Sequence, residues 1–129
     1  SVKKSVNNNF VGKFLVFVIT HHHIGPFKEF LQKTLAVKSE NKTIVVTHHA
    51  PTFINYPEKY INSNINEAFA TNLTDLIEDS NIDYWIYGHH HSNVGDFQIG
   101  NTKLITNQLG YVKYNENAGY NNKAIISLL

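Results

Sequence analysis

The chain's 129 residues are enough for one domain with a substantial core, and 42% hydrophobic with 16% charged residues is a globular composition. Its longest apolar run, Phe14 to Ile19, is strand-sized and too short for a membrane span. A net charge of +1 with scattered lysines leaves no basic stripe for nucleic acid or an anionic membrane, and the lack of cysteine excludes disulfides, thiolate zinc sites, iron–sulfur clusters and cysteine nucleophiles. Any metal chemistry must then use histidine, carboxylate or amide.

Residues 1–9 are polar and expected to fray. Lys3-Lys4 runs into Asn7-Asn8-Asn9 instead of an apolar leader core, so the expected location is the cytoplasm. Phe10 to Ile19 reads as the first strand, and His21, His22 and His23 follow it as a solvated loop rather than as ligands. Gly25-Pro26 breaks the chain, with Pro26 suited to a helix start. Phe27, Phe30, Leu31 and Leu35 recur at helical spacing, which predicts a helix from Phe27 to about Val37. Thr43 to Thr47 is a continuous apolar strand of the kind covered on both faces, ending at His48-His49-Ala50-Pro51. A long polar loop to about Asn64 follows, then a helix from about Asn66 to Ser80, with Asn64 or Asn66 as its cap.

Tyr84 to Tyr87 is the next strand. It runs into Gly88-His89-His90-His91, where Gly88 is expected to turn the chain and an extended backbone would put His89 and His91 on one side. Gly95 to Ile99 and Thr102 to Thr106 flank Gly100-Asn101 as a hairpin, and Ala124 to Leu128 reads as a final strand. Strand, helix, strand occurs twice in succession, so the fold class is α/β, a mainly parallel sheet with βαβ crossovers and a C-terminal hairpin. Residues 1–129 form a single domain. All eight histidines fall at three strand exits, the edge where open α/β sheets bind ligands. Imidazole is the commonest metal ligand, which makes a metal site the leading reading.

Two of these motifs carry a family resemblance. Thr47-His48-His49-Ala50-Pro51 looks like the strand-end histidine motif of the calcineurin-like metallophosphoesterases, and Gly88-His89-His90-His91 matches their GHxH motif. The hairpin and Thr106-Asn107-Gln108-Leu109-Gly110-Tyr111 resemble the strand and loop that close the site in bacterial members, so the resemblance runs from Lys42 to the C-terminus and, less closely, takes in Phe10 to Thr20. It implies hydrolysis of phosphate mono- or diesters, of small molecules or proteins, with divalent Mn, Fe or Zn as cofactor. It also implies His48 and His89 on one metal and His91 on the other, with His49 and His90 as intervening residues that are not ligands. Asn107 and Tyr60 are placed at the substrate-binding rim by position alone.

The family's GDxH, GD and GNH[DE] motifs are absent from the chain. The expectation is therefore a truncated half of the metallophosphoesterase-type α/β sandwich, lacking the bridging carboxylate and the leaving-group histidine, and holding one metal or none. The carboxylates weighed do not compensate: Asp75 and Asp79 fall on a helix, Asp83 at the wrong end of a strand and Asp96 in the hairpin. An incomplete sheet also leaves the Phe10 to Ile19 strand or its neighbour as an apolar edge, and with it a tendency to self-associate. The rival class is a non-catalytic metal-binding or interaction module. A dinucleotide-binding domain lacks its glycine-rich turn, and a serine hydrolase lacks its G-x-S-x-G elbow.

Overall fold

The computed structural model describes residues 2–6, 14–19, 24–36, 42–66 and 69–127. It is built on a six-stranded sheet. The strands are β1 (Val2–Val6), β2 (Phe14–Ile19), β3 (Lys42–Thr47), β4 (Tyr84–Tyr87), β5 (Phe97–Ile99) and β6 (Thr102–Thr106), in spatial order β1-β2-β3-β4-β6-β5. Strands β2, β3, β4 and β6 are parallel, and β1 and β5 pair antiparallel at the two ends. Helix α1 (Ile24–Leu35) lies between β2 and β3, and α2 (Thr74–Glu78) between β3 and β4. This is the α/β arrangement that the alternation of periods predicts.

The core forms where the alternating residues of β4 and β6 meet the helices. Trp85, Leu104 and Val45 are fully buried against Leu31, Ile77 and Ile82. Removing each such side chain from water contributes about 1.5–3 kcal/mol. Thr43, Ile44 and Val45 are buried in succession, as expected of a strand covered on both faces.

Several elements differ from their sequence expectation; helix α1 begins at Ile24 rather than Phe27, so Gly25-Pro26 lie in its first turn instead of breaking the chain before it. Residues 2–6 do not fray: they form β1, because a backbone ladder needs donors and acceptors rather than apolar side chains. Strand β2 is therefore enclosed between β1 and β3, and the edge strand on that side is β1. Among the described residues of the helix expected from Asn66 to Ser80, only Thr74–Glu78 is α-helical. The preceding backbone is committed elsewhere, with Ala70 bridging Ala50 and the N–H groups of Thr71 and Leu73 donating to the carbonyls of Ala50 and Pro51. The side chain of Asn72, rather than Asn64 or Asn66, takes the first N–H, that of Thr74, at 3.2 Å.

The last difference is that residues 124–127 form no strand, since β6 already has β4 and β5 as neighbours. That segment is tied down instead by Tyr84, whose hydroxyl donates to the Ser127 carbonyl. Phe10 to Lys13, Val37 and Leu128 lie outside the described residues, as do His21, His22 and His23. Among the described residues no helix is long and apolar enough to cross a membrane.

Candidate metal centre

Parallel pairing of β3 with β4 delivers Thr47 and Tyr87 to the same sheet edge, and the ladder ends where Gly88 N–H donates to the His48 carbonyl at 3.3 Å. Beyond it the chain turns at His89, with φ of 79°, and again at His91, with φ of 48°; Gly88 itself is not left-handed. Left-handed backbone at a residue bearing a Cβ costs on the order of 1–3 kcal/mol and collects at functional sites. The extended geometry expected for the three histidines is absent, so their rings diverge.

His89 turns toward β3. Its Nδ1 lies 2.7 Å from His48 Nε2, and its ring centroid is 4.5 Å from that of His49. One ring nitrogen from each of His48, His49 and His89 falls within 4.8 Å of the others. Phe69 stacks on His89 at 4.7 Å and shields one ring face. A hydroxyl anchors the turn beneath them: Thr47 Oγ1 accepts from the buried Trp85 indole at 3.0 Å and donates to the His49 carbonyl at 2.6 Å. The donor set passes a chemical test for one divalent cation, because three imidazoles in their neutral form would supply three lone pairs, a set that suits zinc or iron. No carboxylate among the described residues joins this group.

His90 turns inward and is buried, edge-on to Tyr56 at 4.6 Å with Tyr60 at 5.8 Å. Burial, reinforced by neighbouring His89, pushes its pKa down to about 4, so the ring is neutral at physiological pH. A cavity of about 10 Å³ adjoins it, lined in part by Thr52, Ser92 and Gln108.

His91 is not in the three-imidazole group. Its Nδ1 lies 2.9 Å from Glu116 Oε2, and its backbone N–H donates to Gln108 Oε1 at 2.8 Å. Gln108 also donates to the Ser92 carbonyl and to Thr106 Oγ1, so its buried amide fixes the turn from behind. Asn107 braces the C-terminal segment by exchanging two hydrogen bonds with the Asn121 backbone. Tyr60 sits beside His90 under the Lys59 ammonium. Asp83 holds Lys42 and the Thr43 N–H, and Asp96 pairs with Lys103, both away from the histidines as expected.

The family motif set His49 aside as an intervening residue, and sequence reasoning gave Phe69 and Glu116 no place at the site. Strand alternation sends His49 away from His48, but β3 ends at Thr47 and alternation ends with it. No spacing rule connects Glu116 to His91.

A mainly parallel α/β sheet with imidazoles gathered beyond the carboxyl ends of two adjacent strands defines a candidate metal-binding α/β domain. The family model described as calcineurin-like phosphoesterase matches residues 4–93, more than half of the chain, and the chain belongs to that family. The match reaches further toward the N-terminus than the motif resemblance, taking in β2 and most of β1, and stops short of Asn107 and Glu116. No curated protein matches the chain. Members of the family generally bind divalent metals, and the group His48, His49 and His89 could hold one.

Proposed function

We propose that this domain is a metal-dependent phosphoesterase acting on phosphate mono- or diesters, with His48 and His89 as core metal ligands. His49 joins them on geometry and His91 on its match to the GHxH motif. The observation that carries this reading is the convergence of three ring nitrogens within 4.8 Å at the carboxyl edge of the sheet, in a chain of the phosphoesterase family. When bound, a divalent cation supplies Lewis-acid polarisation of a phosphoryl oxygen and lowers the pKa of water.

The chain's own residues prepare that site. His48 and His89 stand 2.7 Å apart through ring nitrogens, so without a cation one must offer an N–H to the other's lone pair, and a cation replaces that proton. Phe69 excludes water from one side of His89, and Thr47 holds the His49 carbonyl so that the paired histidines keep their spacing. Tyr60 and Asn107 remain rim candidates for a small-molecule or protein phosphate ester. The second reading, a metal-binding module without turnover, is favoured by the lack of a carboxylate in the described group, since two closely spaced cations need anionic ligands between them. Strand β1, outermost on its side of the sheet, is the edge through which self-association would occur.

The test is manganese and zinc binding by calorimetry beside turnover of p-nitrophenyl phosphate and its bis-ester. The phosphoesterase reading expects metal-dependent turnover that His48→Ala and His89→Ala abolish. Binding without turnover selects the second reading, and absence of binding refutes both.

A further inference from the structure

His90 takes no part in the metal-binding reading, yet its environment asks for a ligand. The side chain is 5% exposed, and its Nε2 has no hydrogen-bond partner among the described residues. Native interiors satisfy nearly all such buried groups, with protein atoms or with ordered water. The ring lines the cavity of about 10 Å³ between the histidine turn and the excursion that follows β3. Thr52, 2% exposed, joins the lining from the excursion, and Ser92 joins it from the turn. Thr52 Oγ1 accepts the Ile54 N–H at 3.1 Å and lies 2.9 Å from Thr74 Oγ1, whose own proton goes to Asn72 Oδ1 at 2.7 Å. Thr52 is therefore the donor to Thr74, and its oxygen keeps one lone pair for a further partner. Gln108 also lines the cavity, but its amide is committed to His91, Ser92 and Thr106, so it seals the space.

We propose that this cavity is the site of one internal water molecule, which bridges His90 Nε2 to the hydroxyls of Thr52 and Ser92 and so ties the excursion after β3 to the histidine turn. Size and lining select the ligand. A space of about 10 Å³ holds about one water and is too small for a phosphate or a metabolite. No carboxylate lines it, so a bare cation would lie there without a counter-charge. A wholly apolar void would stay dry, whereas His90, Thr52 and Ser92 offer the polar partners, about two to four, that an internal water needs. Water both donates and accepts, so it satisfies Nε2 whether that nitrogen carries a lone pair or a proton. Neither a bound metal nor turnover is required for the site to fill.

The experiment uses the full chain in two measurements. A high-resolution crystal structure of the wild type should show an ordered water within about 3.2 Å of His90 Nε2 and of the Thr52 or Ser92 hydroxyl. Oxygen-17 relaxation dispersion of the solvent counts long-lived internal waters. His90→Phe keeps a ring against Tyr56 but removes the nitrogen, and it should show about one such water fewer than wild type. A Ser92 hydroxyl bonded directly to Nε2, or no ordered water beside that nitrogen, overturns the proposal, and so does an unchanged water count in a folded His90→Phe. If the variant does not fold, the wild-type crystal structure decides alone. Metal affinity and turnover enter neither measurement, so failure of the phosphoesterase reading would leave this result standing.

Discussion

Replacing Gln108 by leucine removes a hydrogen-bonding hub while keeping its bulk. Gln108 is 8% exposed, and its amide makes three bonds: from the His91 N–H at 2.8 Å, to the Ser92 carbonyl at 3.0 Å and to Thr106 Oγ1 at 2.7 Å. The third loss is cheap, because Thr106 keeps its own bond to the Tyr87 carbonyl. The cost falls on the His91 N–H and the Ser92 carbonyl, each worth about 1–3 kcal/mol if left unpaired. Both residues are only half-buried and water recovers part of that, so the expected loss is about 2–4 kcal/mol. For a domain of this size this corresponds to a fall in Tm of roughly 8–15 °C. Urea and thermal unfolding measure it. Gln108→Glu should do no better at neutral pH, since a carboxylate accepts from His91 but cannot donate to Ser92 or Thr106. An unfolding midpoint for Gln108→Leu within about 0.5 kcal/mol of wild type, the range of ordinary surface changes, would refute the account of how the His91 turn is held.

Thr47→Val deprives the buried Trp85 indole of its acceptor and should cost about 1–3 kcal/mol, read from urea unfolding followed by the fluorescence of this single tryptophan. Gly100→Ala should cost about 2–4 kcal/mol in the same assay, because Gly100 has φ of +55° and an added Cβ would sit 2.8 Å from the Glu78 carbonyl oxygen. In the metal-free protein, the buried His90 ring, with its pKa pushed down to about 4, binds its proton less readily than an unfolded histidine. Its contribution is complete above the unfolded value of about 6.5 and is lost as pH falls toward 4, on the order of 2 kcal/mol between about pH 7 and about pH 5. Chemical denaturation at both pH values should give His90→Phe a shallower pH dependence than wild type, and equal slopes would assign the effect to other groups.

The sheet was legible because its strands carry their own signals. Tyr84 to Tyr87 has the bounds expected of it, and β3 and β6 differ by at most one residue, since apolar composition and flanking turns mark a buried strand locally. The short α2 was not legible, because Phe69 and Leu73 have helical spacing yet their stretch is drawn into a bridge with Ala50, a contact that periodicity does not encode. The histidines show the same division. Their place at strand exits follows from chain order and parallel pairing, whereas the directions of their rings follow from two left-handed residues and from Gln108 and Glu116, contributed by a distant segment. The polar first residues were misread for a related reason: β1 is recruited by the open backbone of β2, and side-chain polarity says little about a ladder.

The bridge between Ala50 and Ala70, with the bonds from Thr71 and Leu73 to Ala50 and Pro51, closes the excursion between them at its base, next to His49. An excursion fastened at its root can change length at little cost, because loop entropy grows only logarithmically and each doubling adds about 0.6 kcal/mol. Its fixed point is the buried Tyr56, whose ring meets His90 and whose hydroxyl donates to Asn66. Provided that tyrosine is kept, the segment behaves as an exchangeable cassette: grafting a different one onto the same root would alter what lies above the histidines while leaving the strands that carry them in register.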